Sequence, residues 1–159
     1  MPKKSAGLLV HRPGPNGPEV FLVHPGGPFW AKKDDGAWSI PKGEFTDGED
    51  ALEAAKREWE EETGAPVAMA LAGTFEALGA IRQAGGKIVH AWHVGGDLDP
   101  SQLRSGLFSM EWPPGSGTSR EFPEVDRAAW FPLDGARVKI LKGQLPLLDE
   151  LERKLCGFG

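Results

Sequence analysis

A single cysteine, Cys156, rules out an internal disulfide. One free thiol fits a reducing compartment and leads to the expectation of a cytoplasmic protein. No apolar run approaches the roughly 20 residues a membrane-spanning helix needs, so no membrane role is expected. The first residues, MPKKSAGLLVHRP, hold a short apolar stretch but no small-residue cleavage pattern, and a signal peptide is not expected. Positive charge is in deficit: 18 Lys and Arg stand against 23 Asp and Glu, a net charge of −5. That balance disfavours extended nucleic acid held through its phosphate backbone, but leaves room for a small phosphorylated ligand. Tyrosine is absent, and nothing functional follows from it.

What is present indicates one globular domain, 1–159. The chain is 40% hydrophobic and 26% charged, which supports a packed core. Its 22 glycines and 14 prolines indicate many loops. Ser5–His11 and Glu19–His24 read as two strands joined by a turn, a hairpin. Short strands are expected at Ala37–Ile40, Leu107–Trp112 and Ala129–Pro132, and one bent strand or two over Val67–Ile81. Lys87–Val94 alternates, with Ile88, His90, Trp92 and Val94 on one face and Val89, Ala91 and His93 on the other. His90 and His93 therefore point apart and make no joint metal site. Helices are expected near Asp134–Leu141 and Leu145–Leu155. Strands flanking a central helix, with helices at the end, give an α+β sandwich.

The chemistry is concentrated between Gly43 and Ala65, GEFTDGEDALEAAKREWEEETGA. This is a glycine-containing loop feeding one acidic helix. Thr46 or Asp47 is placed to cap its start, and Gly64 to end it, with Pro66 beyond. Leu52, Ala55 and Trp59 form an apolar stripe. Glu58, Glu61 and Glu62 are neighbours at three- and four-residue spacing. Like charges so placed cost an isolated helix a few tenths of a kcal/mol per pair. A hard divalent cation removes that repulsion, and Mg²⁺ takes one or two carboxylates together with waters and phosphate oxygens.

The full pattern is Gly43, Glu49, Arg57-Glu58, a bulky apolar residue, Glu61-Glu62 and Gly64. It resembles the signature of the Nudix hydrolases. Trp59 stands where the family has a bulky aliphatic residue, and Ala65 is small for the closing apolar position. The resemblance implies a Nudix-like α/β/α sandwich with a mixed sheet and a loop–helix–loop catalytic motif. It implies an enzyme that hydrolyses a pyrophosphate bond in a nucleoside diphosphate linked to another group, using Mg²⁺ or Mn²⁺. Carried over by position, it makes Glu58, Glu61 and Glu62 metal ligands, with the Gly43 carbonyl a further candidate. Arg57 is expected to orient one carboxylate through a charge-assisted hydrogen bond. Glu49 is expected to tie the loop to the helix, and Glu60 to be solvated.

Family members often add an acidic residue from a distant loop. Glu124 is the choice here, as metal ligand or general base, with Glu121 and Glu111 as runners-up. Trp38-Ser39-Ile40-Pro41-Lys42-Gly43 resembles the lead-in of diadenosine polyphosphate hydrolases and RNA 5′-pyrophosphohydrolases, nearer the former. Lys42 and Trp38 are the expected substrate contacts, Lys42 as a point charge on phosphate. Lys32, Lys33, Arg82 and Arg120 are weaker phosphate candidates. Trp30, Trp92, Trp112 and Phe108 are candidates for stacking on a base. The expected substrate is a dinucleoside polyphosphate or a nucleoside triphosphate. RNA 5′-ends, ADP-ribose and nucleoside diphosphate sugars stay open as substrates, as does a non-catalytic nucleotide-binding module. Oligomeric state is not legible.

Overall fold

The computed structural model describes residues 3–156. Strands β1 (Lys4–Gly14) and β2 (Gly17–Pro25) form the expected hairpin, each running further toward the turn than the apolar pattern suggested. Gly14 pairs with Gly17, which leaves Pro15-Asn16 as a two-residue loop. Strand β3 (Lys42–Glu44) pairs antiparallel with the start of β1. Helix α1 (Ala51–Thr63) follows, then a single helical turn, α2 (Val67–Ala70). Strands β4 (Leu71–Arg82) and β5 (Ile88–Gly96) come next. The chain then forms a separate two-stranded ribbon, β6 (Leu107–Glu111) with β7 (Ser119–Pro123). It re-enters the main sheet as β8 (Val125–Pro132) and closes with α3 (Leu133–Lys139) and α4 (Leu145–Leu155).

The main sheet runs β4-β5-β1-β2-β8, with β3 also pairing β1. Only the β1–β5 pairing is parallel, so the sheet is mixed. Alternation along β1 sends Leu9 to one face and Ala6, Leu8 and Val10 to the other. The second face packs on Ala54, Ala55 and Trp59 of α1; the first packs on Ala136 of α3 and on Leu147, Leu148 and Leu151 of α4. The result is a mixed sheet between helical layers, an α/β/α sandwich. Along β5, Val89 and Ala91 face the α3–α4 side while Val94 faces α1, as the alternation required.

Four local expectations are corrected. Asp50, not Thr46 or Asp47, caps α1, its carboxylate accepting from the Glu53 amide at 3.0 Å. Val67–Ala70 is helical rather than extended, because the Pro66 carbonyl accepts from the amides of both Met69 and Ala70. Ala37–Ile40 forms single bridges, Ser39 to Val23 and Trp38 to Ile140, and no strand. Strand β8 begins at Val125 rather than Ala129, and its pairing with β2 is interrupted by a bulge at His24/Pro25.

Candidate active site

Helix α1 ends on Gly64, whose φ of 75° is left-handed and whose amide donates to the Glu60 carbonyl at 2.9 Å. Only glycine suits the position twice over, since a Cβ there would also meet the Arg104 backbone oxygen at 2.8 Å. Just over one turn before that end, Trp59 is fully buried against Phe21, with ring centroids 5.3 Å apart. That anchor fixes the rotation of the helix and so the direction of the side chains on its neighbouring face.

On that face Arg57 gathers the carboxylates. Its guanidinium pairs with Glu49, donates to Glu58 Oε1 at 3.2 Å and to the Glu44 carbonyl at 3.3 Å, and lies 3.8 Å from Glu61. Glu49 in turn accepts from the Thr46 amide at 3.1 Å, so the loop is tied to the helix through Glu49 and Arg57. Glu60 points away and caps Val67, accepting from its amide at 2.8 Å. Glu58 is buried, and Gly43 of β3 lies directly against its carboxyl group.

Burial raises the Glu58 carboxyl above its ordinary range, with the nearby charges of Glu61 and Glu124 adding to the effect. Glu62 is pushed up to about 8, first by burial and then by the negative charges of Glu58 and Glu124. The Lys42 amide donates to Glu62 Oε1 at 3.3 Å and opposes the shift. The Lys42 ammonium is itself pulled below its ordinary value by burial, with Lys87 adding like-charge repulsion. Four carboxylates thus influence one another around one spot.

A cavity of about 180 Å³ opens at that spot, and Lys42, Glu62 and Glu124 line it together with Trp30, Ser39 and Val125. Glu124 is placed there by its neighbours: its amide donates to the Gly106 carbonyl at 2.8 Å, and its carbonyl accepts from the Gly26 amide at 2.9 Å. The runners-up sit elsewhere. Glu121 lies on β7 opposite Ser109, and Glu111 binds the Gly115 amide within the ribbon's own turn at 2.6 Å.

The expectation for Trp38 gives way. It is 4% exposed, packed edge-on against His24 and Phe131, with its indole nitrogen donating to Asp34 at 2.8 Å. A large apolar ring beside a sheet is consumed by the core, and the tryptophan that reaches the cavity is Trp30. Lys33 stands 5.1 Å over the Trp30 ring, and Arg120 lies over Phe122 on the separate ribbon. His93 is buried against His11 and His90 packs on Phe45, on opposite faces as expected.

A divalent ion suits this donor set chemically: oxygen ligands, like charges held together, and two carboxyls raised by burial in one cleft. Among the described residues, no three His, Cys, Asp or Glu side chains are drawn together tightly enough to hold an ion as they stand. Arg57 draws Glu58 and Glu61 one way, while Glu62 leans on the Lys42 amide. Ion binding would require those side chains to converge.

A larger open groove, about 830 Å³, runs between Gly64–Ala70 and Asp97–Arg104. Its acidic groups are already engaged, Asp97 with Arg12 at 2.8 Å and Asp99 with Ser101. The smaller cavity is therefore the site. No pattern in the sequence marked His24 and Asp126, chain neighbours of the lining residues Val23, Pro25 and Val125, as partners.

Comparison with known proteins agrees with this fold. The chain is similar to C. elegans Ap4A hydrolase in a binary complex, at 23% identity and a TM-score of 0.68, over 97% of this chain and 99% of that one. The NUDIX domain of Shewanella oneidensis NrtR complexed with ADP ribose is similar at 16% identity and a TM-score of 0.64, over 98% and 89%. The M. smegmatis Nudix hydrolase RenU follows at 21% and 0.58, over 98% and 87%. No curated protein matches the chain. Among the described residues no helix is long and apolar enough to cross a membrane. The family model for the NUDIX domain matches residues 1–151, and the chain belongs to the Nudix family as a pyrophosphohydrolase.

Proposed function

We propose that this single domain, residues 1–159, hydrolyses a pyrophosphate bond in a dinucleoside polyphosphate or a nucleoside triphosphate, with Mg²⁺ or Mn²⁺. The observation that carries the reading is the shared cavity: one lysine, Lys42, and two carboxylates, Glu62 and Glu124, from three distant segments. Glu58 and Glu61 stand beside it on α1. Glu58, Glu61, Glu62 and Glu124 would hold the ion, with the Gly43 carbonyl a further ligand. When bound, the ion supplies charge neutralisation on the phosphate oxygens and an activated water.

The chain's own residues supply the rest. Lys42 offers a point charge to a phosphate oxygen. Its half-buried position makes that charge more effective than one in open water. Glu62, with its carboxyl up at about 8 in the metal-free protein, would release its proton on becoming a ligand. The Trp30 ring gives the cavity an apolar wall suited to a base or ribose. At about 180 Å³ the cavity is smaller than the roughly 300 Å³ at which pockets begin to hold a whole drug-sized ligand. It accommodates one end of the substrate, and the remainder lies along the open surface. A bipartite substrate such as a dinucleoside polyphosphate suits that division. The S. oneidensis domain's complex with ADP ribose favours ADP-ribose as the second substrate to test.

The test is a product assay with Mg²⁺ against diadenosine tetraphosphate, the common triphosphates and ADP-ribose. Glu61→Gln and Glu62→Gln are each expected to lower turnover by at least about a hundredfold while both variants still fold, as a cooperative thermal transition shows. Unchanged rates in both would defeat the reading. Binding of every substrate without hydrolysis would establish a non-catalytic module instead.

A further inference from the structure

The machinery above gives no role to His24, a fully buried histidine. His24 is the penultimate residue of β2 and is 0% exposed, yet both of its ring nitrogens face oxygen acceptors. Nε2 lies 2.6 Å from the Lys33 carbonyl, and Nδ1 lies 2.8 Å from Asp126 Oδ1. A fully buried imidazole costs free energy unless such bonds are made, so this ring is held tightly in one orientation. Trp38 packs edge-on against it, and Arg127 lies over the Trp38 ring and 3.8 Å from Asp126.

Asp126 occupies a special place in the sheet. His24 pairs with Arg127, but the next residue, Pro25, pairs with Val125. Asp126 is therefore the extra residue of the β-bulge. A bulge shifts the two-residue alternation of a strand by one. On β8, Ala128 and Trp130 face the α1 side, while Ala129 and Phe131 face α3 and α4. Unbroken alternation would send Val125 to the α3–α4 side. It packs instead on the α1 side, with Phe21 and Trp59. The inverted phase begins at Asp126, and the next residue beyond Val125 is Glu124.

We propose that His24 and Asp126 form a positioning clasp: the buried ring holds the bulged residue of β8 and thereby fixes the direction from which Glu124 enters the cavity. The same ring fixes the loop after β2 through Lys33, whose neighbour Trp30 lines that cavity. The clasp joins residues 102 positions apart, at the point where the β2–β8 pairing changes phase. It rests on the reading of Glu124 as a metal ligand or base, and it touches neither substrate nor ion itself.

Asp126→Ala removes the acceptor, while Asp126→Asn keeps an oxygen of the same shape for Nδ1–H. The Asp126 side chain is one-third exposed, so both variants are expected to fold. Asp126→Ala should lower kcat about tenfold, with KM within about twofold, and Asp126→Asn should recover most of the loss. In a Glu124→Gln background, Asp126→Ala should cost less than about twofold, because its effect passes through Glu124. Mn²⁺ titration by calorimetry reads the clasp without turnover: Asp126→Ala should weaken binding about tenfold, and should add nothing once Glu124 is glutamine. A wild-type kcat and Mn²⁺ affinity in Asp126→Ala, or losses that multiply fully onto those of Glu124→Gln, would overturn the clasp. A wild-type protein that hydrolyses none of the substrates would count against the functional reading alone, and the Mn²⁺ comparison would still decide the clasp.

Discussion

A methyl group on Gly43 would stand 2.1 Å from the carboxyl of Glu58. Glycine is required here by the close approach of β3 to the acidic face of α1; φ at Gly43 is not in the left-handed region. Alanine can adopt this backbone, so Gly43→Ala should fold but push the Glu58 carboxylate out of place. Turnover is expected to fall about tenfold to a hundredfold, with the unfolding temperature little changed. Wild-type kcat in this variant would mean that Glu58 is not needed where it stands.

That same pair shows how far the sequence could be read. Gly43 and Glu58 lie within one contiguous motif, so spacing along one helix and its lead-in was enough to place them. Sequence could not say that the contact is one of van der Waals exclusion. Strand β8 was half-missed because Asp126 and Arg127, residues depleted in strands, occupy its start and a bulge breaks its period. Strand β7 was missed because SREFP pairs only with β6 and buries no face, so it carries no alternating signal. Trp30, a stacking candidate from the sequence, reaches the cavity, whereas Trp38, an expected substrate contact, is buried. A ring's exposure depends on which loop folds over it, and the Asp34 bond that locks Trp38 into the core is not marked by any pattern. Glu124 was legible from its distance to Trp130; the His24 ring beside its strand was not, because that contact exists only after folding.

Arg57 is a fork, and its geometry gives a second prediction. One guanidinium spans Glu49, Glu58 and the Glu44 carbonyl at once. Lysine keeps the charge but cannot reach several oxygens in one plane. Arg57→Lys should therefore lower kcat about tenfold to a hundredfold and raise the Mg²⁺ concentration needed for half-maximal rate. Glu49→Gln, which keeps an oxygen for one of its two partners and leaves the Arg57 bonds to Glu58 and Glu44 in place, should cost less. Steady-state kinetics at varied Mg²⁺ decides this, and equal losses in the two variants would contradict the fork.

A third prediction concerns stability in acid. His11 and His93 share a hydrogen bond of 3.1 Å on the α3–α4 side, with Glu76 3.8 Å from His93 and the charge of Lys154 nearby. Burial lowers both imidazoles below the ordinary 6.5, and at His11 the neighbouring His93 adds to it. The folded protein then binds fewer protons than the unfolded chain. Stability from this pair is complete above about 6.5 and is lost as pH falls toward the folded values. Glu62 acts in the opposite direction between 4.5 and about 8, so the comparison must be made against a variant. His11→Gln should lose less unfolding temperature than wild type between pH 6.5 and 5. Parallel curves for the two proteins would show that the histidines do not titrate as the packing requires.

Glu62 carries the last prediction. Its carboxyl stands at about 8 in the folded protein against 4.5 as a free group, raised chiefly by burial. A raised acid binds more protons when folded, so in the metal-free protein its contribution falls as pH climbs from 4.5 to about 8. Glu62→Gln, which cannot ionise, should gain stability relative to wild type over that window. A cation reverses the balance, because a carboxylate must release its proton to become a ligand. Mn²⁺ affinity should therefore rise about tenfold per pH unit below 8, the slope of one released proton, and level off above it. Calorimetry at pH 7 in two buffers of different ionisation enthalpy should count about one proton released per ion bound. Glu62→Gln should bind Mn²⁺ more weakly and with no such release. Equal Mn²⁺ affinity at pH 6 and pH 8 would place Glu62 outside the metal's reach and assign its buried carboxyl to proton transfer alone.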